Sequence, residues 1–263
     1  MDITAIIVSF GRRKYTIDCI NSLHRLYPKI KILVGENGKP DKKIKKIVES
    51  IGGGYIVYPF DSGVPYVRNN LFKITKTKYV LIGDNDFYYD QEANLDKLET
   101  FLDHHSEFSI IGGRTKIFLN YSSKIPIIGR KIRNKIKALE FQGYFGFDKS
   151  DNKHYFQIIK STNLKYRKCI YSNLSYCQVD MVTNFWLGRL KDLPLYTEDQ
   201  KIYYEHPDYM YSLKNKIKIA FTPEALVWHK KQNYFYWRYN KYRFRKNEED
   251  FIEKKYGYKY KII

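Results

Sequence analysis

Tyr79-Val80-Leu81-Ile82-Gly83-Asp84-Asn85-Asp86 is the stretch on which the fold turns. Four β-type residues and a glycine run without polar alternation, as a strand buried on both faces does, and they deliver two carboxylates at its end. Working back, Val64 to Ile74 reads as a helix and Tyr55 to Tyr58 as a short strand. Gly52-Gly53-Gly54 breaks a preceding amphipathic helix marked by Ile44, Ile47 and Val48. Further back, Lys31 to Gly35 is a strand, and Tyr15, Cys19, Ile20, Leu23 and Leu26 share one helical face. Ile3 to Ser9 is a β-branched run of the same kind as 79–83. This βαβαβαβ alternation predicts an α/β protein with a parallel sheet, right-handed crossovers and ligands at the carboxyl ends of the strands.

Working forward, Leu95, Leu98, Phe101 and Leu102 predict another helix and Phe108 to Ile111 another strand. From Arg114 to Lys137 basic residues surround Pro126, which predicts an exposed loop or short helix. Phe141 to Val182 and Ile217 to Phe221 read as short, mostly antiparallel strands. The chain has 263 residues, 43% of them apolar, which is enough for a buried core and excludes a disordered protein. Its net charge of +19 attracts polyanions: nucleic acid, anionic lipid or sugar nucleotides. Cys19, Cys169 and Cys177 match no disulfide or metal framework, and MDITAIIVSF lacks the charge and length of a signal peptide. A cytoplasmic protein is expected, touching the inner face of a membrane at most from its surface.

Two carboxylates at a strand end suit a hard divalent cation, Mn²⁺ or Mg²⁺, that also holds substrate phosphates, although Asp-Asn-Asp is ordinary turn composition as well. The wider pattern narrows this. In order, the chain carries Ile6-Ile7-Val8-Ser9-Phe10, Glu36-Asn37, Gly63-Val64-Pro65-Tyr66-Val67-Arg68-Asn69, Asp84-Asn85-Asp86, Glu205-His206-Pro207-Asp208-Tyr209 and Pro223-Glu224-Ala225-Leu226-Val227-Trp228-His229. This succession resembles the glycosyltransferases of the GT-A fold, above all the inverting family 2. The resemblance implies a Rossmann-like, mostly parallel sheet flanked by helices, with a smaller antiparallel acceptor-side region. It implies one domain over 1–229, with a nucleotide-sugar half at 1–113 and an acceptor or catalytic half at 114–229, followed by a tail at 230–263.

The same resemblance assigns roles. Ser9, Phe10 and Glu36 would line the nucleoside pocket, Arg68 would meet the diphosphate, and Asp84 with Asn85 would face the nucleotide. Asp86 and His229 would hold the metal. The base that deprotonates the acceptor would come from Glu205, His206 or Asp208; the family commonly shows Glu-Asp-x-Asp-Leu there, so His206 stands where an aspartate is usual. Val179 to Arg189 is similar to a segment of the ganglioside-building N-acetylgalactosaminyltransferases, in which reading Asp180 and Asn184 would reach donor sugar or acceptor and Phe185 and Trp186 would form a stacking platform for a pyranose. Val182, Phe185 and Trp186 read equally well as core. Partners implied are a nucleotide-sugar donor, UDP-linked by preference, and a glycan or lipid-linked acceptor.

Two rival readings are weaker. A nucleic-acid module would use Tyr234-Phe235-Tyr236-Trp237-Arg238-Tyr239 as a stacking surface, but it leaves Asp84, Asp86 and the Glu205 motif unexplained. A sugar nucleotidyltransferase would want a glycine-rich loop where the chain has Ser9-Phe10-Gly11-Arg12-Arg13-Lys14. The tail carries eleven Lys/Arg against four Asp/Glu, with Tyr234, Trp237, Tyr242 and Phe244 among its aromatics. It is expected either to hold an anionic membrane surface or to pack Phe251, Ile252 and Tyr256 as a terminal helix on the domain.

Overall fold

The computed structural model describes residues 1–118, 138–139, 142–148, 153–159, 165–202, 204–230, 241–242 and 251–262. The basic stretch 119–137, the tail residues Tyr234, Trp237 and Phe244, and the side chain of Ile252 lie outside the described residues.

The amino-terminal elements are β1 (Ile3–Ser9), α1 (Arg13–Leu26), β2 (Lys31–Glu36), α2 (Lys42–Ser50), β3 (Gly54–Val57), α3 (Val64–Ile74) and β4 (Tyr79–Gly83). All four strands are parallel, with β1 between β2 and β4 and β3 outside β2. The chain thus leaves β1 toward one side and returns on its other side, so the crevice between the ends of β1 and β4 is a topological switch point where ligands settle. Side chains alternate as the pleat requires. Ile3, Ala5, Ile7 and Leu81 join a core with Cys19, Ile20 and Leu23 of α1. Ile6, Val80 and Ile82 join a second core with Val67 and Leu71 of α3. Gly35 lets α3 lie close on β2, because a Cβ there would overlap Val67 Cγ1.

The remaining elements are β5 (Phe87–Tyr88), α4 (Leu95–His104), β6 (Phe108–Phe118), β7 (Ala138–Leu139), β8 (Gln142–Asp148), β9 (Lys153–Ile159), β10 (Arg167–Cys169), β11 (Leu174–Val179), β12 (Met181–Val182), β13 (Trp186–Arg189), α5 (Glu205–Leu213), β14 (Lys218–Lys230), α6 (Phe251–Tyr256) and β15 (Tyr258–Ile262). The main sheet has the order β3-β2-β1-β4-β13-β6-β14-β11-β10, with β5 on β14 and β7 on β6. β13 is antiparallel to both β4 and β6, and β14 is parallel to β6, so β4, β6 and β14 point the same way. A smaller sheet, β12-β8-β9-β15, holds the expected antiparallel pairs and one parallel pair, β15 on β9.

Two strands exceed their expected lengths. β6 continues to Phe118, and β14 runs on from Phe221 through Pro223 to Lys230. Pro223 cannot donate to a ladder, and the register slips between Phe221 and Leu226 so that pairing resumes beyond it.

The tail's α6 packs on α5. Tyr256 lies 4.4 Å from the Tyr211 ring, and its hydroxyl donates to Asp208 Oδ1 at 2.6 Å. Lys255 Nζ lies 3.0 Å from both Asp199 Oδ2 and Asp208 Oδ1. Among the described residues no helix is long and apolar enough to cross a membrane. All three cysteines are buried and unbridged.

Candidate active site

β4 ends at Gly83, and the chain turns through Asp84-Asn85-Asp86, closed by the Phe87 N–H donating to Asp84 O at 3.1 Å. The turn feeds β5, which pairs antiparallel with β14 so that Phe87 faces His229. Lys230 N–H then donates to Asp86 O at 2.9 Å. Strand pairing therefore delivers His229 to the acidic turn, and one ligand atom from each of Asp84, Asp86 and His229 falls within 4.8 Å of the others. His229 Nε2 is 3.2 Å from Asp86 Oδ2. Burial alone would lower the imidazole pKa, but the charge and hydrogen bond of Asp86 outweigh it and the net shift is upward. Burial, then the neighbouring charge of Asp86, raises Asp84.

Arg12, the residue before α1, supplies a counter-charge. Its Nη1 donates to Asp86 Oδ2 at 2.6 Å and its Nη2 to Asn85 Oδ1. Asn85 Nδ2 in turn donates to Thr16 Oγ1 at 3.0 Å, which lies 3.4 Å from Ser9 Oγ. The ends of β1 and β4 and the first turn of α1 are joined by this network.

Beside it, Ser9 and Glu36 are fully buried at the ends of β1 and β2. Glu36 Oε1 accepts from Gly38 N–H at 2.9 Å, and Oε2 from the Tyr55 hydroxyl at 3.4 Å. Desolvation outweighs these bonds and pushes the Glu36 pKa up to about 7. Phe10 stands 5.5 Å from Phe60 and 5.3 Å from Tyr242, giving an aromatic wall beside these polar groups. Because the folded pKa of Glu36 lies above the unfolded value of 4.5, the folded protein retains a proton there that the unfolded chain has released. Stability from this group is therefore lost as pH rises through about 4.5–7, and the cost is complete above that window. Glu36→Gln is expected to raise Tm by roughly 3 °C or more at pH 8 and by little at pH 5 in thermal unfolding; equal shifts at both would contradict the assignment.

Arg68 connects this turn with the second acidic motif. Gly63 (φ 108°) opens α3 in a backbone region that favours glycine, and Arg68 follows in the second turn, almost fully buried. Its Nη2 is 3.8 Å from Asp84 Oδ1, and its Nη1 is 3.1 Å from Glu205 Oε1. Tyr196 lies against the guanidinium, 5.3 Å from ring centroid to Cζ. Tyr196 is itself pinned by Asn69, which donates to its carbonyl and accepts from its N–H.

The three candidate bases point to different surroundings. Glu205, at the start of α5, joins the Asp84 group through Arg68. His206 turns away: its Nε2 hydrogen-bonds the Val182 carbonyl and so carries the proton, while Nδ1 is buried without a partner. Desolvation lowers its pKa to about 4. Asp208 accepts from Thr197 and Tyr256 and pairs with Lys255, which ties α5 to α6.

The 179–189 segment divides. Asn184 Nδ2 donates to Asp84 Oδ1 at 3.1 Å, so it belongs to the cluster. Trp186 is 0% exposed and lies parallel to Tyr209 at 6.2 Å, so its ring is core and presents no face for a sugar to stack on. Asp180 is not brought to the cluster either. It lines a groove of about 440 Å³ with Glu107, Ser109, Lys216 and Lys218, at the starting ends of β6 and β14, whereas Asp84 stands at the carboxyl edge.

Residues 4–163 match glycosyl transferase family 2. The chain belongs to this family.

Solved structures agree on the fold. S. aureus TarS 1-349 is similar over 88% of this chain and 60% of its own, at 14% identity and a TM-score of 0.55. GalNAc-T7, in a crystal structure with UDP, GalNAc and Mn²⁺, is similar over 88% of this chain and 44% of its own, at 13% identity and a TM-score of 0.58. The chain thus spans less than two thirds of the proteins it matches in structure. Among curated proteins none matches by sequence. The mixed α/β architecture with its parallel central strands is that of the GT-A fold expected from the sequence.

In this chain the donor set of two carboxylates and one imidazole fits a divalent cation. Mn²⁺ and Mg²⁺ prefer oxygen ligands at about 2.0–2.2 Å and accept an imidazole nitrogen. The 4.8 Å spread of Asp84, Asp86 and His229 is close to what one ion can span. The sequence reading passed over Arg12, Asn37 and Tyr196 as site residues. Asn37 is fully buried and its Oδ1 accepts from Ser62 Oγ and Gly63 N–H, which fixes the start of α3. The signal for Arg12 was present in Arg12-Arg13-Lys14 directly after β1, but only the fold shows which of the three cations turns inward.

Proposed function

We propose that this glycosyltransferase moves a hexose or N-acetylhexosamine, with inversion, from a UDP-linked donor to a glycan or glycolipid acceptor in surface polysaccharide synthesis. The reading is carried by one observation: Asp84, Asp86 and His229 converge at the switch point between β1 and β4, next to Ser9, Phe10 and Glu36 at the ends of β1 and β2. Bound there by Asp86 and His229, Mn²⁺ or Mg²⁺ would neutralise the departing diphosphate. The UDP and Mn²⁺ of the GalNAc-T7 crystal structure lend the choice of nucleotide and ion support by analogy.

The protein's own groups do the rest. Glu36 accepts a hydrogen bond from the base or ribose, with Phe10 as the apolar wall. Glu205 takes the proton of the acceptor hydroxyl as that oxygen attacks the anomeric carbon, and the bond from that carbon to the diphosphate breaks with its electron pair leaving on the nucleotide. Arg68 holds Glu205 as the carboxylate, the form a base needs. His206, with its low pKa, supports the α5 turn, and Asp208 anchors it to α6. Tyr242 stands at the Phe10 wall, and the basic tail to which it belongs would meet an anionic membrane carrying a lipid-linked acceptor.

The test is to incubate the protein with Mn²⁺ and a panel of UDP-, GDP- and CMP-sugars and to measure free nucleotide. Release of UDP, increased by glycan or glycolipid acceptors, is expected. Pyrophosphate exchange instead would mark a nucleotidyltransferase, and salt-sensitive retention of oligonucleotides without sugar-nucleotide turnover would mark a nucleic-acid protein.

A further inference from the structure

Of the three consecutive cations Arg12, Arg13 and Lys14, only Arg12 is buried, and its fork is spent on the acidic turn. One arm takes Asp86 Oδ2 at 2.6 Å and the other takes Asn85 Oδ1. Asn85 is held in turn by Thr16, so the middle residue of Asp84-Asn85-Asp86 serves to aim a guanidinium at the carboxylate beside it. Each carboxylate of the turn thereby has its own arginine: Arg12 for Asp86, and Arg68 for Asp84 at 3.8 Å. The two arginines differ in their anchoring. Arg68 is also paired with Glu205 and lies on Tyr196, whereas one arm of the Arg12 fork holds Asp86, a residue a cation would engage, and the other holds its neighbour Asn85. A divalent ion and a guanidinium on one carboxylate repel each other across a short, buried distance, so each weakens the other's hold on Asp86.

We propose that Arg12 is a resident cation on Asp86 that competes with the divalent ion for that carboxylate, weakening ion binding in the donor-free enzyme. This rests on the metal-site reading above. On this account Arg12 is a positioning residue: it keeps the acidic turn neutralised and ordered without the ion, and entry of the ion frees its fork to meet the donor's diphosphate. An arginine suits both tasks, since its planar fork engages carboxylate and phosphate alike. A purely structural ion pair would have a different consequence, namely lost stability with ion affinity unmoved.

The experiment is Mn²⁺ titration of the donor-free protein, read by the electron paramagnetic resonance of free Mn²⁺, for the natural chain, Arg12→Gln and Asp86→Asn. Removing one adjacent positive charge is expected to lower the Mn²⁺ Kd of Arg12→Gln about tenfold or more, while Asp86→Asn loses binding. An unchanged or raised Kd in Arg12→Gln, with Asp86→Asn still defective, would overturn the proposal and leave the metal site standing. Equal binding by Asp86→Asn and the natural chain would overturn the metal site itself. If Arg12→Gln does not fold, Arg12→Met decides. A methionine keeps the length of the apolar stem without the charge, so a Kd lowered about tenfold supports the competition and an unchanged one refutes it.

Discussion

Asp86→Asn is expected to lower transfer by at least about 10³-fold while the protein stays folded. An ion that stabilises the departing diphosphate contributes several kcal/mol to the barrier, and each ~1.4 kcal/mol is tenfold in rate. Asparagine retains an oxygen for Arg12 Nη1, which now sits at 2.6 Å from Asp86 Oδ2, so the buried guanidinium keeps an acceptor. The loss should therefore appear in turnover and in Mn²⁺ binding, with circular dichroism unchanged and Tm lowered by roughly 5 °C at most. Activity within tenfold of the natural chain would remove Asp86 from the mechanism.

The second large effect lies in α5. Glu205→Gln is expected to reduce kcat about 10²–10⁴-fold, the usual contribution of a general base, with the donor KM changed less than threefold. His206→Gln should stay within about tenfold of the natural enzyme, because its Nε2 faces the Val182 carbonyl and the pKa of about 4 that burial gives the ring makes it a weak proton acceptor. The reverse ranking would transfer the base to His206, whose place in the motif first suggested it. Steady-state kinetics of the two variants with one donor and one acceptor separates these outcomes.

The central strands were legible because burial on both faces writes itself as an unbroken apolar run. The strands Ile3–Ser9 and Tyr79–Gly83 are found with the bounds their residues suggest, and so is the amphipathic helix Val64–Ile74. The acidic turn was legible for the same reason, since the strand that carries it could end in only one place. What escaped was information that lies in pairing between distant segments. Trp186-Leu187-Gly188-Arg189 has too little pattern of its own to announce an antiparallel strand between β4 and β6, and that insertion is what turns Trp186 toward Tyr209 and the core. Asp180 follows β11, which is antiparallel to β14, so it emerges where β14 begins, away from His229. Arg68 was expected to face the diphosphate, but folding α5 against α3 brings Glu205 to its Nη1. Asp208 looked like part of the chemistry until α6, from the far end of the chain, supplied Lys255 and Tyr256 as its partners.

The central claim is that Asp86 and His229 hold a divalent ion beside a bound nucleotide. Anomalous diffraction at the manganese edge, from crystals grown with Mn²⁺ and UDP, tests it most directly. The account expects one anomalous peak within coordination distance of Asp86 and His229, with the uracil near Phe10 and Glu36. A nucleotide seated there with no peak at that position, or a peak at another group of residues, would contradict it.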